Sequence, residues 1–174
     1  RYNSRSYHNE YDENGYEIKA YSGFDGTEYD KVTTYVNDEH GNHIRTIVDI
    51  DRYGRKSHKE IVGEYVYNTE GRLTKSVAYD VNGEISTQVN YTYDSSGNII
   101  KEEVKEGNNG KREKYAYEYK GGRLIKKIKY VNNVKESHID YIYDLAKRLD
   151  SETQYNAAGE IVEKIQYKYQ KILI

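Results

Sequence analysis

Between Gly83 and Asp94 polar and apolar positions alternate without a break. Ile85, Thr87, Val89, Tyr91 and Tyr93 share one parity; Glu84, Ser86, Gln88, Asn90 and Thr92 share the other. A period of two is that of a β-strand, not of a helix. After Gly159 the same parity carries Ile161, Glu163, Ile165, Tyr167 and Tyr169. The pairs Leu73/Tyr79, Leu124/Tyr130 and Leu149/Tyr155 keep it as well. The pattern predicts an aromatic–aliphatic face and a polar face. It also specifies register, because a slip of one residue would turn every side chain to the wrong side.

Turn signals punctuate the alternation at regular intervals. Gly71, Gly83, Gly97, Gly110 and Gly122 are 12, 14, 13 and 12 residues apart, and Gly159 rejoins the series. That spacing holds one strand of about eight residues and one tight turn, as in an antiparallel meander. Asn68/Gly71, Asp80/Gly83, Asp94/Gly97 and Asn156/Gly159 place Asx first and Gly fourth. This suits a type I turn followed by a left-handed residue, with the Asx side chain accepting bonds from the backbone beyond it. Positive φ is expected at these four glycines. Gly121-Gly122 and Asn132-Asn133 suit two-residue hairpins with both φ values positive. Asp144-Leu-Ala-Lys147 has no glycine, so this turn is either strained by about 1 kcal/mol or differently shaped. The fold class expected is all-β: a repetitive antiparallel hairpin meander of roughly 13 strands, forming an extended or coiled sheet.

The regularity is uneven. Residues 64–174 carry the clear repeats, and residues 1–63 read as irregular copies within one continuous repeat domain. Tyr11-Asp12-Glu-Asn-Gly15 and Asn37-Asp38-Glu-His-Gly41 are still recognisable. Gly54 and Gly71 lie 17 residues apart, which implies an inserted loop or bulge.

Composition narrows the picture. The 174 residues carry 27 basic and 29 acidic side chains, a net charge of −2. That balance argues against nucleic-acid partners, which need a basic surface. Only 36% of residues are apolar, so a thick aliphatic core is not expected, yet 22 Tyr favour strands over disorder. Proline is absent, leaving the strand ladders unbroken. There is no Cys, hence neither disulfide nor thiolate metal site. No segment approaches the ~20 apolar residues of a transmembrane helix. Arg1 and the lack of any Met imply an N-terminus that is processed, trimmed or a fragment's.

Tyr67-Asn68-Thr-Glu-Gly71-Arg-Leu73 and Tyr93-Asp94-Ser-Ser-Gly97-Asn-Ile99 resemble the repeat of YD-repeat proteins, the rearrangement-hotspot (RHS) type. Residues 64–169 resemble it well and 11–63 loosely. The resemblance implies β-hairpin sheets that spiral into hollow shells, often around a toxin, or short bacterial surface proteins. About 13 strands at ~4.8 Å make a strip of about 60 Å, too short to enclose a protein alone. A shell role would therefore require a fragment of a longer array or assembly of copies.

Candidate chemistry is sparse. His40 and His43 could present two imidazoles near a turn beside Asp38 and Glu39, but a third His at a convincing spacing is missing. Asp80-Val-Asn82-Gly83 opens like a calcium loop, yet Tyr91 stands where the bidentate Glu belongs. Glu102-Glu103 and Lys126-Lys127 read as solvated or cross-strand charges. Neither a nucleophile elbow nor a phosphate loop occurs. Catalytic residues, metal and cofactor are all expected to be absent. The candidate binding surface is an aromatic face of Tyr91, Tyr93, Tyr115, Tyr117, Tyr119, Tyr141, Tyr143, Tyr167 and Tyr169. Its regular recurrence favours a structural role over a ligand site.

These readings converge on a non-catalytic structural protein, bacterial and extracellular or at the cell surface. It is expected to self-associate into a homo-oligomer or filament through open strand edges, with Ile172, Leu173 and Ile174 as assembly residues. The alternatives are a carbohydrate- or protein-binding module, or a fragment of a toxin-encapsulating YD-repeat shell.

Overall fold

The computed structural model describes residues 5–24, 31–50, 58–108 and 110–170. The expected assembly residues Ile172, Leu173 and Ile174, and Gly54, from which the inserted loop or bulge is expected to begin, lie outside them. The strands are β1 (Arg5–Tyr11), β2 (Glu17–Phe24), β3 (Lys31–Asn37), β4 (His43–Ile50), β5 (His58–Tyr67), β6 (Leu73–Tyr79) and β7 (Ile85–Tyr93). They continue with β8 (Ile99–Glu106), β9 (Arg112–Lys120), β10 (Arg123–Val131), β11 (Val134–Tyr143), β12 (Leu149–Asn156) and β13 (Ile161–Gln166). All 13 form one sheet in chain order, with β1 and β13 at its edges. The fold is thus an all-β meander without a helix among the described residues.

The chain forms two compact units: one holds residues 1–89 and 106–108, the other 90–105 and 109–174. In the first, the hairpins turn on Asx residues. Asp12, Asp38, Asn68 and Asp80 each accept a backbone bond from the glycine three residues on and donate one to the carbonyl four on, at 2.8–3.0 Å. Their Oδ1 atoms accept the N–H groups two and four residues on, such as Asn82 and Glu84 at Asp80, each at 2.9 Å. Gly71 and Gly83 take φ of +74° and +77°. The calcium-like stretch at Asp80 is therefore a hairpin turn whose carboxylate is spent on its own backbone.

The second unit repeats the device. Asp94/Gly97 and Asn156/Gly159 close in the same way, with φ of +86° and +84° at the glycines. Gly121 and Gly122 are at +57° and +73°, and Asn132 and Asn133 at +49° and +67°. The turn lacking glycine adopts the same shape rather than a different one. Lys147 sits at φ +68° and donates to Asp144 O at 2.9 Å.

A feature the alternation does not disclose follows the turns. Tyr11↔Glu17, Asn37↔His43, Tyr67↔Leu73, Tyr143↔Leu149 and Tyr155↔Ile161 close their hairpins, Tyr119↔Leu124 lies one pair inside the closing Lys120↔Arg123, and each time the register then skips one residue. The extra residue is a β-bulge. It inverts parity between neighbouring strands. Tyr65 and Tyr67 share the face of Ser76, whereas Tyr79 lies with Lys75, Val77 and Glu64 on the other.

The apolar residues are consequently divided between the two faces. Val48 and Val77, each 7% exposed, are the buried hydrophobic residues among those described, and register puts them on opposite sides. In the second unit the buried residues are polar, Ser151 and Thr153. The expected division into one apolar and one polar face does not survive the bulges. Cohesion rests on ladders and cross-strand pairs rather than on a core.

Candidate binding surface

Within the second unit, Tyr117↔Lys127↔Ile139 and Tyr141↔Glu152↔Ile165 connect β9, β10, β11, β12 and β13 across one face. Tyr115, Tyr117, Tyr119, Tyr141, Tyr143, Tyr167 and Tyr169 all share it, because each strand alternates strictly. Tyr91 and Tyr93 share a face of β7 by the same alternation. The rings of Tyr91, Tyr93, Tyr115, Tyr117, Tyr119, Tyr141, Tyr143 and Tyr167 are half-buried, and that of Tyr169 is exposed.

The hydroxyls have two recurring tasks. The last Tyr of a Tyr-x-Tyr segment donates to a backbone carbonyl near the start of the adjoining strand. Tyr67 reaches His43 O at 3.1 Å, Tyr119 reaches Ile99 O at 3.0 Å, Tyr143 reaches Leu124 O at 2.9 Å, and Tyr169 reaches Leu149 O at 2.8 Å. His43, Leu124 and Leu149 open the bulges of their hairpins. A bulge disrupts the ladder and leaves backbone groups short of partners. The hydroxyl meets that deficit from the next strand. In β3 the position before the turn is Asn37, and its amide does the same work, donating to Glu17 O at 3.1 Å.

The second task is a diagonal bond to a carboxylate. Glu64 pairs across the ladder with Val77, and Tyr79, two residues on, donates to it at 2.6 Å. Glu10 and Tyr21 (2.7 Å) repeat this geometry, as do Glu102 and Tyr117 (2.9 Å) and, in close contact, Glu152 and Tyr167. The Tyr79 hydroxyl, with Arg45 beside it, holds the Glu64 carboxyl below its usual range. Burial, then Glu102, raises the Tyr117 phenol well above its usual value. The same face carries Glu113, which meets Lys111 at 2.6 Å, Lys129 at 3.3 Å and the Tyr115 hydroxyl at 2.6 Å. Lys111, then Tyr115 and Lys129, lower its carboxyl to about 2. Lys127 stands over the Tyr115 ring, 4.8 Å from its centroid.

The histidines serve the sheet too. His43 Nε2 lies 2.8 Å from Arg45 O and 3.0 Å from Thr46 Oγ1, with its ring between those of Tyr35 and Tyr65. His40 faces Glu39 at 3.7 Å and does not join His43. Among the described residues, clusters of three or more metal-ligating side chains do not occur. On the face opposite the tyrosines, His138 stacks on Tyr155 with centroids 4.4 Å apart, and Asp140 lies between it and Lys126. Burial first, then Lys135, lowers the His138 imidazole. In the first unit an open groove of about 770 Å³ is lined by Asp38, Asn42, Arg45, Glu64, Tyr65 and Tyr67, among others. Its carboxylates are already engaged: Asp38 Oδ2 accepts from Asn42 Nδ2 at 2.9 Å, and Glu64 pairs with Arg45 at 2.8 Å.

Neither a protein-family profile nor a curated protein matches the chain. Solved structures do resemble it. A chain of the Tc holotoxin pore of Photorhabdus luminescens aligns over 92% of this chain and 9% of its own, at 12% identity and a TM-score of 0.46. A protein of unknown function from Bacteroides fragilis aligns over 79% and 91%, at 10% identity and a TM-score of 0.25. A chain of a TcdB2–TccC3–Cdc42 complex aligns over 95% and 13%, at 10% identity and a TM-score of 0.24. The chain thus spans about a tenth of the length of the two toxin chains it resembles.

Proposed function

We propose that this chain is a non-catalytic structural protein of YD-like, RHS-type β-repeats, acting at the cell surface or outside the cell and self-associating into an oligomer or filament. The observation that carries this reading is the outer strand β13. All six of its residues are exposed, with Ile161, Val162 and Ile165 at 62%, 61% and 41%. An edge strand presents unpaired N–H and C=O groups, and apolar side chains along it favour pairing with another strand. The use of the side chains fits as well, since hydroxyls, carboxylates and imidazoles are engaged in holding strands together. Light scattering over a concentration series, with electron microscopy of the concentrated protein, tests the reading. Growth in mass with concentration is expected; a constant 20.4 kDa species would refute it.

A second reading, a carbohydrate-binding surface, is favoured by the open groove beside Tyr65 and Tyr67. Glycan binding that disappears in the Val66→Asp variant, whose side chain would project from the groove wall, would support it.

A further inference from the structure

We infer that the outer edge of β13 pairs antiparallel with β13 of a second copy, about a two-fold axis beside Ile165. The inference rests on the self-association just proposed and assigns its surface.

The backbone sets the available registers. Tyr167 N–H donates inward to Asp150 O at 2.9 Å. Ladder bonds alternate every second residue, so Ile165 and Glu163 also bond inward, to Glu152 and Gln154. Lys164, Gln166 and Lys168 therefore present their N–H and C=O groups to the outside, up to the bulge at Val162. A two-fold perpendicular to the sheet keeps each face on its own side, so residues of like parity must meet.

Side-chain chemistry selects among these registers. With the axis at Ile165, that residue meets its own copy at a non-hydrogen-bonded position, where side chains approach most closely. Lys164 then meets Gln166 and Glu163 meets Tyr167. The exposed Ile165 is covered by its own copy, and like charges are not opposed at these positions. Moving the axis to Lys164 or Glu163 sets that residue against itself, and moving it to Gln166 sets Lys164 against Lys168 twice. Like charges directly opposite one another are destabilising.

The chain has no cysteine, so a single introduced thiol reports the register directly. An Ile165→Cys variant should oxidise to a disulfide-linked dimer at least about tenfold faster than Glu163→Cys or Lys164→Cys, because a non-hydrogen-bonded pair brings its Cα atoms within disulfide reach. Lys164→Pro removes an outward donor while leaving the inner ladder intact, and should abolish association with the far-UV circular dichroism unchanged. Equal oxidation rates in the three variants would overturn the inference. So would an oligomer that survives Lys164→Pro, although self-association by another surface would then stand. A wild-type protein that stays monomeric at all concentrations would remove both.

Discussion

The hydroxyl that meets each bulge makes a prediction that can be worked through. In Tyr143→Phe the ring remains and only the bond to Leu124 O at 2.9 Å is lost. A neutral hydrogen bond contributes about 0.5–1.5 kcal/mol net, and an acceptor left without a partner costs about 1–3 kcal/mol when fully buried. Tyr143 is half-buried, so water recovers part of that cost. The expected loss is about 1 kcal/mol, which for a chain of this size lowers Tm by about 2–4 °C. Tyr141 supplies the control. It lies on the same strand and face, and its hydroxyl makes no hydrogen bond to the protein among the described residues. Tyr141→Phe should therefore stay within about 0.5 kcal/mol of wild type. Urea titration followed by far-UV circular dichroism reads both, as a fall in midpoint at constant slope. Tyr67→Phe and Tyr169→Phe, in distant hairpins, should add within about 0.5 kcal/mol. Equal losses in Tyr141→Phe and Tyr143→Phe would refute the capping role and return the tyrosines to generic packing.

Other perturbations probe the turns and charges. Lys147→Gly relieves a positive φ of 68° in a residue with a Cβ and should stabilise the protein by about 0.5–1 kcal/mol, the left-handed penalty less the added chain entropy; a lower urea midpoint would contradict this. Gly41→Ala should be far worse than Gly71→Ala. Both residues have positive φ, but the Tyr16 ring occupies the space a Cβ would need at Gly41, whereas at Gly71 that space is open. Thermal melts of the two variants decide, and equal costs would mean that Tyr16 moves aside freely. For Glu113 the folded carboxyl lies at about 2 against 4.5 unfolded. Its contribution is therefore complete above pH 4.5 and is lost as pH falls towards 2. The stability gap between wild type and Glu113→Gln should be widest at neutral pH and close near pH 2. A gap that does not change with pH would show that the Lys111–Glu113–Lys129 cluster is not electrostatic in origin.

How much of this was legible differs between levels. Strand existence, antiparallel order and turn positions all followed from local signals. Period-two alternation is local, and Asp or Asn followed by Gly closes a turn using only its own five residues. The bulges were hidden because the extra residue, such as Thr74 or Asp150, has no distinguishing type. Its detection requires knowing the partner strand. Missing it led to the expectation of a single apolar face. The capping role was partly visible: Tyr-x-Tyr recurs once per two strands, which is the period of the bulged hairpins it serves. Asn37 gave no such sign, since nothing in an Asn before a turn announces that it replaces a tyrosine. The Glu–Tyr diagonals did leave a trace, a 15-residue spacing in Glu64/Tyr79, Glu102/Tyr117 and Glu152/Tyr167.

These bonds also define what a unit of the array is. A hairpin here is not complete in itself, because the carbonyl at its bulge is met only by the strand that follows. Hairpin β3–β4 depends on Tyr67 of β5, β9–β10 on Tyr143 of β11, and β11–β12 on Tyr169 beyond β13. The smallest self-consistent piece is therefore three strands, and successive pieces overlap by one. Stability in such an array is a sum of repeat terms and nearest-neighbour terms. With few buried hydrophobic side chains, the neighbour terms carry unusual weight. An outermost strand is then exposed in a specific sense: β13 completes the hairpin before it, while its own outer edge, lined by Ile161, Val162 and Ile165, has no described strand beside it. The asymmetry between a satisfied inner edge and an outer one with no described partner is why the proposed association is assigned to β13.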